Sequence, residues 1–362
     1  MISLSVILAL ICASIVCYFT IKLVKPFALK VGLVDIPNHR KVHTGEVPLV
    51  GGIAVYIGVL TASAILLPQG QIINLYLISS GLIVMLGALD DYKDLSVSIR
   101  IIAQVLIASL MVYGAGLYLQ DFGDILFGLN TRLGWAGYPM TILAVIAAIN
   151  AFNMTDGIDG LAGMLSLVAF VGISILMFFN NQSLYVLPLI LAASIIPFLM
   201  FNLGIVGGAA KKVFMGDAGS MFVGLSIVWL LVIGTQGVES DISFRPVTAL
   251  WLIAIPFLDM CAITIRRLLK KRSPFKPDKE HVHHIMMRLG LSARSALYLI
   301  SFISLLFATF GLMGEYFQWS ETFMFLTFLL VFVLYFFALK HAWKVSKRLR
   351  VIVRYLRRSS PQ

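Results

Sequence analysis

The stretch IINLYLISSGLIVMLGALDDYKD, residues 72–94, joins an apolar run of membrane length to a group of carboxylates. The run at 72–89 is close to the ~20 residues that an α-helix needs to cross a bilayer. Asp90 and Asp91 follow it directly, and Asp94 comes soon after. Because a carboxylate beside hydrocarbon is costly, this acidic pair predicts a polar site at the membrane surface.

The composition extends this membrane pattern to the whole chain. Hydrophobic residues make up 60% of the 362 residues, charged residues only 12%, and the mean hydropathy is +0.96. Soluble domains carry about 25% charged residues. Further apolar runs fall at about 2–24, 48–68, 100–119, 137–152, 161–180, 184–203, 218–236, 247–265, 296–314 and 322–339. We therefore predict an all-α polytopic integral membrane protein with about eleven transmembrane helices. The first run lacks a basic start and a clear cleavage site, so we interpret it as a helix rather than a signal peptide.

The basic residues predict the orientation. With eleven alternating spans, Arg132 and Arg245 fall on one side and the other 26 of the 28 Lys and Arg residues on the opposite side. Basic residues accumulate in cytoplasmic loops, so the N-terminus is expected outside (periplasmic) and the C-terminus inside. Nucleic-acid binding is not expected, because anchoring in the membrane accounts for the net charge of +11.

The same alternation divides the chain into one domain and a tail. We predict a single transmembrane catalytic domain at 1–340 and a basic cytoplasmic tail at 341–362, which is either an anchor or an interfacial amphipathic helix touching anionic lipid. The cytoplasmic loops expected to hold the site are about 25–47, 90–99, 153–160, 204–217 and 266–295.

The segment NAFNMTDGIDG, residues 150–160, is a second polar cluster. If it is helical, Asn153, Asp156 and Asp159 share roughly one face, so that amides and carboxylates converge on one ligand. A polar turn punctuated by glycine is the alternative.

A third acidic position, Asp217, lies in KKVFMGDAGS just before the run 218–236. Its flanking glycines allow the backbone to approach a ligand, and a helix N-terminus favours anions. A plain N-cap aspartate is the competing interpretation. For Asp90 and Asp91, a cation would relieve their mutual repulsion and hold phosphate oxygens as well, whereas a helix cap or a solvated loop is the simpler explanation.

Three histidines, His281, His283 and His284, lie in the basic segment SPFKPDKEHVHHIMMRLG. Zinc would need a fourth ligand that the sequence does not supply convincingly. Imidazoles among Lys and Arg are better suited to donate hydrogen bonds to phosphates or a sugar.

Taken together, PLVGG (48–52), LDD (89–91), NAFNMTDGIDG (150–160), FMGDAG (214–219) and HVHH (281–284) resemble the polyprenyl-phosphate N-acetylhexosamine-1-phosphate transferases. The resemblance runs through nearly the whole chain. It implies transfer of N-acetylglucosamine 1-phosphate from UDP-N-acetylglucosamine to undecaprenyl phosphate at the cytoplasmic face of a bacterial inner membrane, by a protein that is a homodimer.

The resemblance also implies roles for individual residues. Asp217 would bind Mg²⁺, with Mn²⁺ as the alternative, and Asp90 and Asp91 would bind metal or handle the lipid phosphate. The other positions expected to act in catalysis or to bind substrate are Asp156, Asp159, Asn150, Asn153, Phe214, Lys211, Arg100, His281, His283 and His284. Among these, Phe214 would face the uracil ring.

Elementary chemistry is consistent with this expectation. Two anions must approach in line, so positioning and charge neutralisation supply most of the catalysis in phosphoryl transfer. Two alternatives stay open: the same reaction with another UDP-N-acetylhexosamine, and a secondary transporter. Transporter sites normally lie near the bilayer midplane between repeats, whereas these acids cluster at the ends of apolar runs.

Overall fold

In the computed structural model the chain is a bundle of helices. The structure describes residues 4–36, 45–129, 131–237, 242–273 and 281–359, and within the last range the side chains beyond residue 341 are not described. The helices are α1 Leu4–Val31, α2 Gly51–Leu66, α3 Gln71–Lys93, α4 Val97–Ser109, α5 Gly137–Thr155, α6 Leu161–Phe179, α7 Val186–Asn202, α8 Gly216–Gln236, α9 Pro246–Leu252, α10 Ala254–Leu269, α11 Val282–Arg288, α12 Ala293–Tyr316 and α13 Glu321–Ser359. Two short strands, β1 Val34–Asp35 and β2 Val47–Pro48, pair antiparallel. This ribbon is a small departure from the predicted all-α fold.

Every predicted apolar run coincides with a helix, and the run at 247–265 covers two. Within the described ranges, nine helices are long and apolar enough to cross a membrane, and the pair α9 and α10 brings the total to ten if it counts as one span. This pair is bent by 85°. α2 is apolar but has only 16 residues. The polytopic membrane fold is confirmed, whereas the count of eleven spans stays a prediction.

Helix α8 forms the centre of the bundle. All of its residues from Ala218 to Gln236 are buried, and α2, α3, α5 and α6 pack around it. Two neighbours approach its first turn so closely that only glycine fits. A methyl group on Gly52 would lie 2.1 Å from the Gly219 nitrogen, and one on Gly87 would lie 2.4 Å from the Ala218 Cα. The start of α8 is therefore fixed from two sides.

The PLVGG motif holds the segment that leads into α8. The Gly51 and Gly52 amides donate to the carbonyls of Phe214 and Met215 at 2.9 and 3.0 Å, and the Phe214 amide donates to the Pro48 carbonyl at 2.9 Å. These three backbone bonds make the motif a clamp on Phe214 and Met215, directly before α8.

The opposite end of the bundle is closed by its own polar contacts. The Gln236 side chain accepts hydrogen bonds from the amides of Gln120 and Asp121 at 2.8 and 3.2 Å. Arg245 donates to the carbonyls of Trp319 and Gly314 at 2.6 and 2.7 Å and pairs with Glu315. These contacts join the chain connections that follow α4, α8 and α12. They lie at the end of α8 opposite to Asp217.

Candidate active site

The acidic pair at the end of α3 meets the first turn of α8. The Asp91 carboxylate accepts hydrogen bonds from the backbone amides of Asp217 and Ala218, at 2.9 and 3.2 Å. Gly216 adopts a φ of +69°, and a methyl group there would lie 2.5 Å from an Asp91 carboxylate oxygen. Asp91 therefore caps α8 from a distant part of the chain, at the helix end that favours negative charge.

Asp217 itself does not cap α8; it lies within the first turn and points to other partners. Asn153 Nδ2 donates to Asp217 Oδ1 at 2.7 Å and to Ser220 Oγ at 3.1 Å. The side chain of Asp217 is 35% exposed, compared with 2% for Asp90. Asp217 is thus a carboxylate held by an amide but open to a ligand.

Asp90 and Arg100 form an ion pair beside this carboxylate. Arg100 Nη1 lies 2.7 Å from Asp90 Oδ2 and 4.0 Å from Asp217 Oδ2. The other oxygen of Asp90 accepts from the Leu95 amide at 2.8 Å, which stabilises the turn between α3 and α4. Asp90 therefore does not cap α4, whose N-cap is Ser96, and it is buried rather than solvated. Its remaining role is to hold Arg100 next to Asp217.

The segment that carries Asn153, Asp156 and Asp159 forms the glycine-punctuated turn rather than a continuous helix, so these residues do not share one helical face. Helix α5 ends at Thr155, Asp156 is its C-terminal cap, and the turn continues to Gly160, whose φ is +77°. The turn still keeps Asp156 near the other acids. Burial, together with the charges of Asp217 and Asp159, raises the pKa of Asp156 to about 7.

Asp159, later in this turn, is connected to Phe214 through a lysine. It forms an ion pair with Lys212, whose ammonium group also lies 5.2 Å from the centre of the Phe214 ring. The lysine chosen from the sequence, Lys211, is exposed, and its aliphatic chain runs beside Gly207. The structure thus places Lys212 with the predicted pocket residues.

The histidine segment reaches the same turn. A methyl group on Gly157 would lie 2.2 Å from His283 Nε2, so the imidazole rests directly on the glycine backbone. His283 is buried, and neither ring nitrogen has a hydrogen-bond partner in the described parts of the chain. Burial, together with the neighbouring His284 and His281, lowers the pKa of His283 to about 3. His283 is therefore neutral, which suits hydrogen bonding to a polar ligand better than an ion pair with phosphate.

His281 is the histidine with a defined partner. Its Nδ1 lies 2.8 Å from Asp259 Oδ2 in α10, and the ring stacks at 5.7 Å on that of His283. The ring of His284 lies 4.2 Å from that of His283. Residues 277–280 of the PDKEHVHH segment lie outside the described residues.

The hydrogen bonds and ion pairs of the acidic residues decide which carboxylate could bind a divalent cation. Among the described residues, no group of three or more His, Cys, Asp or Glu side chains is arranged as a metal site. Asp91 is occupied by backbone amides, and Asp90 by Arg100 and an amide, whereas Asp217 keeps an exposed carboxylate. Mg²⁺ in proteins often takes only one or two carboxylates and completes its shell with water and substrate phosphates. The donor set therefore fits a Mg²⁺ ion that binds together with a phosphorylated ligand.

The chain is similar to known proteins along nearly its whole length. Residues 73–235, which span the site from α3 to α8, match the model of glycosyl transferase family 4. A relative from Pasteurella multocida is 45% identical over 352 residues, which is 97% of this chain and 98% of that protein. The chain belongs to glycosyl transferase family 4.

Two further family 4 members extend the comparison. The proteins from Escherichia coli K12 and Yersinia pestis are 45% and 46% identical, over 92% of this chain and 90% and 91% of their own lengths. All three relatives are undecaprenyl-phosphate alpha-N-acetylglucosaminyl 1-phosphate transferases. This chain is thus an enzyme of the same family.

Several polar residues of the family 4 site are not predicted from the sequence. Ser220 lies one helical turn beyond Asp217, and Gln104 lies one turn beyond Arg100, where it accepts from Asn150 Nδ2 at 3.2 Å. Asn150 also donates to the Ile146 carbonyl at 2.7 Å, so its amide is held inside α5. Asp259 is the sole acid in the run 247–265, and an acid within a membrane-length run is the signal that marks it.

Proposed function

We propose that the protein transfers N-acetylglucosamine 1-phosphate from UDP-N-acetylglucosamine to undecaprenyl phosphate. The products are undecaprenyl-diphospho-N-acetylglucosamine and UMP. The observation that carries the reaction class is the junction of Asp91, Asp217, Asn153 and Arg100, which joins four helices around one exposed carboxylate. The identity of the substrates rests on the relatives, which are similar along nearly their whole length.

The proposed step is a direct displacement at phosphorus. An oxygen of the lipid phosphate forms a bond to the β-phosphorus of the nucleotide sugar, and the bond from that phosphorus to the bridging oxygen breaks. The bridging oxygen leaves with UMP. A phosphate monoester is largely ionised at neutral pH, so the residues need to position and neutralise rather than to remove a proton.

The cations at the site would perform that neutralisation. Arg100 is shared between Asp90 and Asp217, and its guanidinium can turn toward a phosphate without leaving its carboxylate partner. Lys212, held by Asp159 close to the Phe214 ring, would contact a nucleotide whose base stacks on Phe214.

Mg²⁺ is the proposed cofactor, and Asp217 is the residue that would hold it. When bound, the ion would neutralise charge on the diphosphate and stabilise the leaving UMP. Asp91 and Asp90 would then support it indirectly, Asp91 by fixing the first turn of α8 and Asp90 by holding Arg100.

For the membrane arrangement we propose eleven spans with the site at the cytoplasmic face. The charge distribution supports this orientation. Helix α2 would be the eleventh span, although its 16 residues rise only about 24 Å. A homodimer, as the resemblance implies, is also proposed.

The direct test uses purified protein, undecaprenyl phosphate, Mg²⁺ and a panel of UDP-sugars, with UMP release as the measurement. We expect UMP with UDP-N-acetylglucosamine, and none when the lipid phosphate is omitted. UMP release with a different UDP-N-acetylhexosamine alone would assign another donor. Absence of UMP with every donor would contradict the proposed function and leave transport to be considered.

A further inference from the structure

A buried acid in α10 collects three hydrogen bonds. Asp259 is 1% exposed. Its Oδ2 lies 2.8 Å from His281 Nδ1, and its Oδ1 accepts from the Val282 amide at 3.2 Å and from the Tyr335 hydroxyl at 2.5 Å. The donors come from the first turn of α11 and from α13, so one carboxylate joins three helices.

The hydrogen bonds of Asp259 define which ring nitrogen of His281 carries a proton. An ionised carboxylate only accepts, and the Val282 amide and the Tyr335 hydroxyl already donate to Asp259. His281 must then carry its proton on Nδ1 where it meets Asp259. A neutral imidazole in that form keeps Nε2 as an acceptor, so Asp259 selects which ring nitrogen is available to a ligand.

The same carboxylate fixes where α11 begins. It binds both the side chain of His281 and the next backbone amide, and His281 stacks on His283, which rests on Gly157. The contacts therefore run from α10 and α13 through the histidine segment to the turn that holds Asp156 and Asp159. A buried charge costs free energy unless hydrogen bonds compensate it, and here the compensating donors are His281, the Val282 amide and Tyr335.

The bend between α9 and α10 gives this acid its place. α10 leaves the line of α9 by 85° just before Ala254, which allows Asp259 to meet the start of α11. Tyr335 then closes the far side of the carboxylate from α13.

We infer that Asp259 is a positioning residue for His281 in the transfer reaction. Asp259 fixes the tautomer and the position of this histidine, and Tyr335 holds Asp259 in place. The inference rests on the proposed function. It assigns Asp259 and Tyr335 no contact with substrate; both act through His281.

The test is a pair of double-mutant cycles on the full-length protein, with kcat and KM for UDP-N-acetylglucosamine measured by UMP release. Asp259→Asn and His281→Ala should each lower kcat/KM by about tenfold or more and divide the loss between kcat and KM in the same way. Asp259→Asn in the His281→Ala background should lower kcat/KM by less than about twofold further. Tyr335→Phe should lower kcat/KM by about threefold in the wild type and have no effect once His281 is replaced.

Tyr316→Phe is the matched control. Tyr316 is the last residue of α12 and is 82% exposed, so this variant should behave as wild type. The positioning role of Asp259 would be overturned if the fold-losses in kcat/KM of the single variants multiplied in the double variants of both cycles. Wild-type kinetics for Asp259→Asn would overturn it as well. If Asp259→Asn does not fold, the Tyr335 cycle decides. A wild type that releases no UMP overturns the proposed function, and the role with it, whereas an active wild type with multiplying losses overturns the role alone.

Discussion

Asp91 and Asp217 lie in contact but have different partners. Both oxygens of Asp91 accept from backbone amides of α8, whereas Asp217 accepts from Asn153 and is open to solvent. The acidic clusters are visible in the sequence, yet their division of labour is not. It follows from which carboxylate reaches the first turn of α8.

That difference predicts separate effects on stability. Asp217→Asn removes a charge that repels its acidic neighbours and keeps an oxygen facing Asn153, so in EDTA its melting temperature should equal or slightly exceed that of the wild type. Asp91→Asn places an amide NH₂ against a backbone donor, which should cost about 1–3 kcal/mol and lower the melting temperature.

Turnover should fall by orders of magnitude in both variants. Asp124→Asn, at the opposite end of the bundle, is the control and should keep its turnover. Near-normal turnover of Asp217→Asn would show that this carboxylate is structural.

Phe214 is the residue whose effect should be confined to the nucleotide. Loss of the ring removes a stacking surface that contributes about 1 kcal/mol, and it also removes a contact of Lys212. Phe214→Ala should therefore raise the KM for UDP-N-acetylglucosamine severalfold and leave the KM for undecaprenyl phosphate nearly unchanged. Phe214→Tyr keeps the ring and should keep both values. A rise in the lipid KM instead would place the nucleotide elsewhere.

At the scale of elements, α2 and α8 are joined by the closest approach in the site. The backbone bonds from Gly51 and Gly52 hold Phe214 and Met215, and no side chain fits between Gly52 and Gly219. The position of Asp217 thus depends on a motif that has no chemistry of its own.

Gly52→Ala should consequently disturb both stability and activity. A methyl group 2.1 Å from the Gly219 nitrogen must push the helices apart, at a cost of about 1–3 kcal/mol or more, and would shift the first turn of α8. We expect a lower melting temperature and reduced kcat. Gly70→Ala, where an added methyl meets open space, should leave kcat unchanged and lower the melting temperature only slightly, through loss of the glycine N-cap of α3. Wild-type kinetics for Gly52→Ala would contradict the proposed clamp.

Hydropathy places the helices well but does not predict their direction. The run at 247–265 is apolar apart from Asp259 and two threonines, and Pro256, in the first turn of α10, is its one signal of a helix break. That signal does not predict the 85° angle between α9 and α10. The sequence likewise does not show that α5 ends at Thr155. The three-residue spacing of the polar residues suits a helix, and the glycines at 157 and 160 suit a turn equally well. Lys212 and Lys211 are adjacent, and only packing shows that Lys212 pairs with Asp159.

For the whole molecule, the contacts among the polar clusters require one shared face, and the distribution of the basic residues supports the proposal that this face is cytoplasmic. In a variant whose native Cys12, Cys17 and Cys261 are replaced, a cysteine at Lys93 should react with a membrane-impermeant maleimide only from the cytoplasmic side. One at Leu129, which is 66% exposed, should react only from outside. The reverse pattern would invert the proposed orientation.

The central claim is transfer of a sugar phosphate rather than of a sugar, and isotopic labelling tests it most directly. UDP-N-acetylglucosamine labelled with ³²P at the β-phosphorus is incubated with the purified protein, undecaprenyl phosphate and Mg²⁺, and the lipid and aqueous phases are separated. Displacement at the β-phosphorus should carry the label into the lipid product and leave unlabelled UMP in water. Label that stays in water as UDP, with the sugar alone on the lipid, would contradict the account.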